Sequence, residues 1–213
     1  MDIPVLFADD QVVVCVKPAG ISSEEDGMVR ALKAQLGGDI FCVHRLDREV
    51  TGVMVYARTS AAAAKLSADG LIRKEYRAVV HGKPDSASGT LRDLLYHNAS
   101  KNKSYPVKKM RRGVKEAVLD YEVLQSVDAP CGQVSLIRIM LHTGRTHQIR
   151  VQFASRKMPL VGDARYGSPE KKQPIALYAK QLSFVHPKTR KAMTFTVDAP
   201  EGAAFTLFQA DHV

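Results

Sequence analysis

The sequence lacks several features that mark special classes of protein. It has no tryptophan and only three cysteines in 213 residues. No apolar run approaches the roughly 18 residues that a membrane-spanning helix needs. Residues 1–4 are not followed by the basic and apolar regions of a secretion signal. With 45% hydrophobic and 25% charged residues, the composition predicts a soluble globular protein.

The cysteines and histidines show no spacing typical of a structural bridge or a metal. Cys15, Cys42 and Cys131 form no Cys-x-x-Cys pair, and an odd number cannot all pair within one chain. We therefore predict a reducing, cytoplasmic location. His142 and His147 are five residues apart, and no His-Glu-x-x-His motif occurs. This spacing predicts no metal site.

Positive charge is present in excess and is concentrated in three blocks. The formal net charge is +9. Residues 101–115 contain seven Lys or Arg and no acid, residues 132–162 contain five, and residues 171–191 contain six. Such blocks are typical of a polyanion-binding surface, although any single block is equally typical of a solvated surface. Charge alone does not distinguish RNA from DNA. The first block includes the predicted phosphate contacts Lys108, Lys109, Arg111 and Arg112.

The hydrophobic pattern predicts more strands than helices. Strands are predicted over residues 12–16, 53–57, 75–81, 118–124, 134–141, 175–185 and 193–197. Helices are predicted over residues 28–36, 61–66 and 146–157, the second capped by Thr59 or Ser60 and stopped by Gly70. Residues 84–116 read as a loop or a loose ribbon. The predicted fold class is α+β, with a mixed, largely antiparallel sheet and flanking helices. We predict a single domain over residues 1–213, since the boundary candidate at 84–106 is weak.

Residues 44–52 place a potentially reactive carboxylate in a predicted turn. Their sequence is His-Arg-Leu-Asp-Arg-Glu-Val-Thr-Gly, and an apolar run follows. A carboxylate kept ionised by basic neighbours, as Asp47 is by Arg45 and Arg48, is a usable nucleophile. The alternative is a surface salt bridge or a cap, since charged pairs are also structural.

This stretch resembles the HRLD-x-x-TSG signature of the RluA-type RNA pseudouridine synthases. Three further segments match that family in the same order: residues 17–20 its KPAG turn, residues 74–78 its Lys-x-Tyr-x-Ala strand, and residues 144–150 its GRTHQIR segment. Weaker matches are found at residues 161–167 and 184–187. The resemblance runs from about residue 6 to residue 200, and it implies a pseudouridine-synthase-like catalytic domain with a central basic cleft.

The resemblance implies an enzyme that isomerises uridine in RNA. Asp47 would be the nucleophile, attacking either the sugar or the base. An arginine of residues 144–150 would pair with it, and we favour Arg150 over Arg145. Tyr76 would stack on the uracil and accept the C5 proton directly or through water, although a phenol is a poor base at neutral pH. The alternatives are a core role for Tyr76 and phosphate contacts for both arginines.

The same resemblance implies contacts with an extruded nucleotide and no cofactor. The isomerisation neither oxidises nor adds anything, so the chain needs no cofactor. Base flipping is expected because the reacting atoms are hidden in a stacked helix, and Arg45 would enter the space that the base leaves. The further predicted RNA-binding residues are His44, Thr51, Lys74, His147 and Gln148. His44 and His147 alternatively buttress loops through hydrogen bonds.

Two positions depart from the family pattern. Val50 replaces a Thr of Thr-Ser-Gly, while Thr51 keeps a hydroxyl, and Tyr178 stands where the family often has His. We expect a monomer without an additional N-terminal RNA-binding module, acting on a stem-loop of ribosomal or transfer RNA. The main alternative, motivated by Val50, is a non-catalytic RNA-binding or RNA-remodelling protein that retains the fold. A DNA-binding regulator is disfavoured because no helix-turn-helix pattern is present.

Overall fold

The fold was obtained as a computed structural model, and it describes residues 2–68, 71–202 and 204–208. The strands along these residues are β1 (Val5–Ala8), β2 (Val12–Lys17), β3 (Phe41–Cys42), β4 (Thr51–Ala57), β5 (Ile72–His81), β6 (Ser88–Asn98), β7 (Lys103–Val107), β8 (Val114–Ala129), β9 (Gly132–Leu141), β10 (Leu177–Val185) and β11 (Ala192–Thr196). The α-helices are α1 (Arg30–Leu36), α2 (Ser60–Leu66) and α3 (Gln148–Ala154). In this part of the chain, no helix has the length and apolarity needed to cross a bilayer.

The chain forms two compact units. Unit 1 comprises residues 1–75 and 178–198, and unit 2 comprises residues 76–177 and 199–213. The first division falls within β5 and not in the predicted boundary region, residues 84–106. The single-domain prediction for residues 1–213 stays a prediction.

Unit 1 is built on strands in the order β1-β2-β4-β10. β2 pairs antiparallel with β1 and β4, β10 pairs parallel with β4, and β11 pairs antiparallel with β10. The side chains of alternate residues in β2 and β4 point to one face, where they pack against α2. That core consists of Val12, Val14, Val53, Val55, Ala57, Ala62, Leu66, Leu182 and Phe184. The alternating valines therefore fix which face of the sheet α2 covers.

Unit 2 contains a sheet in the order β5-β9-β8-β6-β7. The pairs β6–β7, β6–β8 and β8–β9 are all antiparallel. Val151 of α3 packs with Leu95 and Ala117 of this sheet, and all of α3 from Gln148 to Phe153 is buried. The mixed, mostly antiparallel α+β architecture predicted from the sequence is confirmed.

Residues 84–116 were wrongly predicted as a loop or loose ribbon. β6 is a regular strand with antiparallel partners on both sides, and β7 forms the edge of the sheet order. Pro106 lies in β7, where an edge position tolerates the missing N–H donor. Only Leu91 and Leu95 of β6 are buried, so its sequence shows a weak hydrophobic alternation. Hydrogen bonding to β8 therefore stabilises a strand that the local hydrophobic pattern does not predict.

Both helices of unit 1 were predicted, although α1 begins at Arg30 and not at Met28. It ends at Leu36, and the next residue, Gly37, has a φ of 68° that suits glycine. Thr59 is the cap of α2, because its side chain accepts a hydrogen bond from the backbone N–H of Ala62 at 3.1 Å. That helix ends at Leu66, and Gly70, the predicted stop, lies outside the described residues.

The predicted helix over residues 146–157 is shorter at both ends. His147 adopts a left-handed conformation with φ of 56° immediately before Gln148, the first residue of α3. Lys157 is also left-handed, with φ of 62°, and Met158 N–H bonds back to the carbonyl of Phe153 at 3.1 Å. Positive φ values at non-glycine residues are rare and interrupt a helix.

Candidate active site

The backbone turn that carries Asp47 is held by a buried lysine. The Lys17 ammonium donates hydrogen bonds to the carbonyls of Pro18 and Ile21, both at 2.9 Å, and of Arg48 at 3.1 Å. The N–H of Gly20 donates to the same Arg48 carbonyl at 2.7 Å. The KPAG turn and the HRLD turn therefore form one hydrogen-bonded assembly, in which the Asp47 side chain is half-buried.

Burial also changes the charge state of that lysine. It lowers the pKa of Lys17 to about 8, while the negative charges of Asp47 and Glu49 act in the opposite direction. Lys17 therefore still carries its positive charge at neutral pH, and Asp47 is one of the groups that this charge attracts.

A buried serine fixes the residue before Asp47. The hydroxyl of Ser23 accepts from the N–H of Leu46 at 3.1 Å and donates to the carbonyl of Leu46 at 2.9 Å. Tyr56 donates its hydroxyl to the carbonyl of Ser23 at 3.0 Å, and burial raises the pKa of that phenol strongly. These bonds use both backbone polar groups of Leu46, so the Asp47 backbone is restrained on its N-terminal side as well.

The residues after the turn pair with β10. Thr51 and Gly52 of β4 lie opposite Tyr178 and Ala179. A Cβ atom on Gly52 would lie 2.5 Å from both N and O of Ala179, and Gly52 has a φ of 131°. Only glycine fits this close approach of two backbones. The hydroxyl of Thr51 donates to the carbonyl of Lys17 at 2.7 Å, so it serves the same assembly.

Val50 occupies a position suited to an apolar side chain. It is buried, with 2% of its surface exposed, and its N–H donates to the carbonyl of Asp47 at 3.0 Å. The departure from the family pattern at this position thus keeps the backbone turn intact.

His44 is a half-buried residue with a neutral imidazole whose Nδ1 atom is buried. Burial, and secondly the charge of Lys74, hold the pKa of His44 well below its ordinary value. Its Nε2 accepts from the N–H of Val55 at 3.2 Å, which places the proton on Nδ1. Among the described residues, that Nδ1 has no hydrogen-bond partner. A buried N–H of this kind is a donor that a bound acceptor would satisfy.

The two other predicted contacts of unit 1 differ in exposure. Arg45 is exposed and forms an ion pair with Glu24 at 3.1 Å. Lys74 is half-buried in β5, and burial lowers its pKa. Arg45 therefore lies at the surface, whereas Lys74 is partly enclosed.

In unit 2, the predicted site residue Gln148 organises the GRTHQIR segment. Its side-chain oxygen accepts from the N–H of Arg145 at 3.0 Å and from the hydroxyl of Thr143 at 2.8 Å, and its amide nitrogen donates to the carbonyl of Val118 at 3.1 Å. Gln148 is 3% exposed. These bonds give Gln148 an organising role within the segment, and its direct RNA contact stays a prediction. Arg145 in turn donates through Nε to the carbonyl of Glu116 at 2.8 Å.

The remaining polar residues of that segment surround Tyr166. Arg150 forms a bidentate, buried salt bridge with Asp163, at 2.7 Å from Nε to Oδ2 and 2.8 Å from Nη2 to Oδ1. Its guanidinium lies 5.4 Å from the centre of the Tyr166 ring. His147 Nδ1 is 3.0 Å from the Tyr166 hydroxyl, which also accepts from the N–H of Ser104 at 2.8 Å. Asp163 and Tyr166 thus fix the orientation of Arg150 and His147.

The other predicted residues of unit 2 lie in two different settings. Tyr76 is buried in β5, with 5% of its surface exposed. The four basic residues Lys108, Lys109, Arg111 and Arg112 are all exposed, in the segment between β7 and β8. Within that segment, the Arg111 guanidinium lies 5.3 Å from the centre of the Tyr96 ring.

Comparison with known proteins identifies the family. Residues 11–155 match the family described as RNA pseudouridylate synthase. The chain belongs to this family. Membership indicates an isomerase that acts on RNA, and the matched range includes Lys17, Asp47, Tyr76 and Arg150.

Individual synthases resemble this one along most of its length. It is 32% identical to the ribosomal large subunit pseudouridine synthase D of Zymomonas mobilis, covering 94% of this chain and 71% of that one. It is 27% identical to the tRNA pseudouridine synthase C of Haemophilus influenzae, covering 92% and 93%. Human RNA pseudouridylate synthase domain containing 1 has the same fold, with a TM-score of 0.77 at 22% identity over 97% of this chain and 86% of that one. The synthase spans 65% of the length of an RNA pseudouridine synthase from Synechocystis.

Sequence reasoning missed several residues that organise the synthase. Lys17 was assigned only to a matching turn, and Asp163 and Tyr166 only to a weak motif. Ser23 was not singled out at all. Lys17, Asp163 and Tyr166 could have been singled out because they lie in matched motifs. Their contacts, however, depend on tertiary structure and are not visible in the sequence.

Proposed function

We propose that this synthase converts a specific uridine of ribosomal or transfer RNA to pseudouridine, with Asp47 as its nucleophile. The observation that carries the assignment of Asp47 is its turn, which the buried Lys17 ammonium holds through the Arg48 carbonyl. A carboxylate on a restrained backbone beside a positive charge keeps its direction during the reaction. The names of the relatives from Zymomonas mobilis and Haemophilus influenzae support ribosomal and transfer RNA as the substrate classes.

The proposed reaction breaks one bond to the sugar and forms another. The bond between C1′ and N1 breaks, the uracil turns, C1′ joins C5, the C5 proton leaves and N1 takes up a proton. Asp47 bonds transiently to the sugar, as carboxylates do in glycosidases, or to the base, and this bond breaks again to restore the carboxylate. The uridine is extruded from a stem-loop, where unstacking is least costly. Arg45 is the exposed side chain available to fill the vacated space.

The other predicted roles remain part of the proposal. Tyr76 stacks on the uracil, and an arginine of the GRTHQIR segment balances the charge of Asp47, with Arg150 favoured over Arg145. The Nδ1–H of His44, which has no partner among the described residues, donates to an acceptor of the RNA. Three cysteines outside disulfides support a reducing compartment such as the cytoplasm.

The decisive experiment replaces the carboxylate. Asp47→Asn and Asp47→Ala are incubated with ribosomal and transfer RNA, and pseudouridines are mapped. We expect product below detection with RNA binding nearly unchanged, because the nucleophile contributes to the chemical step. Asp39→Asn, an exposed carboxylate of the same unit, should retain full activity. Undiminished pseudouridine formation by Asp47→Ala would refute the assignment, and a wild-type chain that binds RNA tightly without product would favour the non-catalytic binder.

A further inference from the structure

Three metal-ligating side chains from distant parts of unit 2 meet at one place. His81 is the last residue of β5, Cys131 lies in the turn between β8 and β9, and Glu170 lies in a loop that follows β9 and α3. One ligand atom of each lies within 4.8 Å of the other two. Imidazole nitrogen, thiol sulfur and carboxylate oxygen together form a donor set that suits Zn²⁺, whereas Mg²⁺ and Ca²⁺ prefer oxygen alone.

The backbone around His81 and Cys131 is held in place by β9. The N–H of Gly82 donates to the carbonyl of Gln133 at 2.7 Å. The hydroxyl of Ser135 donates to the carbonyl of Gly82, also at 2.7 Å. Because Gly82 adjoins His81 and Gln133 is two residues from Cys131, these bonds hold the two ligand positions side by side.

A buried serine, Ser168, contacts the side chains of both Glu170 and His81. Ser168 accepts from the N–H of Gly162 at 3.0 Å and donates to Glu170 at 3.2 Å, and its hydroxyl oxygen lies 3.2 Å from Nε2 of His81. Ser168 is fully buried. Hydrogen bonds from a neighbouring group that orient ligand side chains are a regular feature of protein metal sites.

We propose that His81, Cys131 and Glu170 bind a zinc ion. Two ligands of a tetrahedral zinc lie roughly 3.3–3.6 Å apart, given bond lengths of about 2.0–2.3 Å. Nε2 of His81 and Oε2 of Glu170 are 2.7 Å apart, so they separate by less than an ångström as the ion replaces the proton between them. The Cys131 thiol also loses its proton to bind as thiolate, and water completes the four-coordinate site.

The ion would join the end of β5, the β8–β9 turn and the Glu170 loop. That loop also carries Asp163, whose carbonyl accepts from the N–H of Ser168 at 3.0 Å. Because zinc would bind only the folded arrangement, it should raise the melting temperature of the protein. A stabilising role is therefore expected of this site.

The first test uses Co²⁺ as a spectroscopic substitute for zinc, with the tag-free full chain. The wild type should develop a thiolate-to-cobalt charge-transfer band that added Zn²⁺ removes. Cys131→Ser should lack the band, and His81→Gln and Glu170→Gln should bind cobalt at least about tenfold more weakly. Cys42→Ser and the exposed His142→Gln should match the wild type. A band that survives in Cys131→Ser, or no band in the wild type, would overturn the proposal.

The second test needs no variant and so does not depend on folding of the mutants. The wild type is treated with iodoacetamide, with and without Zn²⁺, and alkylation of each cysteine is measured by mass spectrometry. Cys131 is exposed and should be alkylated readily without zinc and protected with it, and EDTA should reverse the protection. Cys42 should alkylate at the same rate in both conditions. Equal alkylation of Cys131 with and without zinc would contradict zinc binding at this cluster.

Discussion

The ammonium of Lys17 donates a hydrogen bond to the carbonyl of Arg48 at 3.1 Å, across 31 positions of the sequence. The N–H of Gly20 donates to the same carbonyl. Two motifs that look separate in the sequence, KPAG and HRLD, are therefore one structural element. The lysine acts on the Asp47 turn through the backbone, so we class it as a positioning residue.

Lys17→Met should destabilise the protein and misplace Asp47. The substitution removes the lysine donor from the partly buried carbonyls of Pro18 and Ile21, whereas the Arg48 carbonyl keeps the N–H of Gly20. Each buried group left unsatisfied costs about 1–3 kcal/mol. Urea unfolding measures the lost stability, and steady-state kinetics should show a reduced kcat with RNA binding largely kept. The exposed Lys33→Met should have neither effect. Wild-type kcat in a folded Lys17→Met protein would show that the turn needs no lysine.

The pH dependence of stability should identify the same lysine. Its pKa is about 8 in the folded protein and 10.5 in its ordinary state. Between these values the unfolded chain binds more protons, so the free energy of unfolding rises with pH. The difference in unfolding free energy between wild type and Lys17→Met should therefore increase from pH 8 to pH 10.5. A constant difference over this range would contradict the lowered pKa.

Gly52→Ala should strongly destabilise unit 1. The added Cβ would lie 2.5 Å from backbone atoms of Ala179, which cannot move without breaking the pairing of β4 with β10. We expect a loss of about 3 kcal/mol or more in urea unfolding. Gly37→Ala is the matched control, because Gly37 has a φ of 68° but open space at its Cβ position. It should lose less than Gly52→Ala, about 1–3 kcal/mol, from backbone strain alone, and equal losses would show that the close approach is unimportant.

Asp163→Asn should reveal how much the buried ion pair between Asp163 and Arg150 contributes to stability. The substitution removes the carboxylate charge from the bidentate pair with Arg150, and both side chains are almost completely buried. Breaking a buried pair on one side costs about 3–5 kcal/mol, to be measured by urea unfolding. Asp39→Asn, on the surface, should change stability by less than about 0.5 kcal/mol. A similarly small change for Asp163→Asn would mean that the pair does not contribute to stability.

Neutralising Lys108, Lys109, Arg111 and Arg112 together should weaken RNA binding and reduce its salt dependence. All four are exposed, and each phosphate contact contributes about 0.7–0.9 to the slope of log affinity against log salt. Binding is titrated at several salt concentrations with a glutamine variant of all four. Arg30→Gln/Lys33→Gln, outside the acid-free blocks, should keep the wild-type slope. An unchanged slope in the fourfold variant would place this segment away from the RNA.

The sequence predicted the elements whose residues carry their own pattern. The alternating valines of β2 and β4 and the Thr59 cap gave correct predictions because local propensity and packing agree there. β6 was missed because its backbone partners come from β7 and β8, and His147 was placed inside a helix because a left-handed residue leaves no local signal.

The residues of the candidate site were predictable where they lie in motifs, but their contacts were not. Motif matches brought attention to Asp47 and Arg150, but they did not reveal that Asp163 holds the arginine or that Lys17 holds the aspartate turn. His81, Cys131 and Glu170 have no characteristic spacing, so only the fold brings them together. Contacts between residues far apart in the chain depend on the backbone path, which no short window contains.

The parallel pairing of β4 with β10 has a consequence for synthesis on the ribosome. β4 is complete at Ala57, but the strand beside it begins at Leu177. During translation, β4 therefore lacks its parallel neighbour β10 until all the residues between the two strands have been synthesised. Since exposed strand edges invite incorrect pairing, the start of β4 around Thr51 and Gly52 is open to mispairing during that interval.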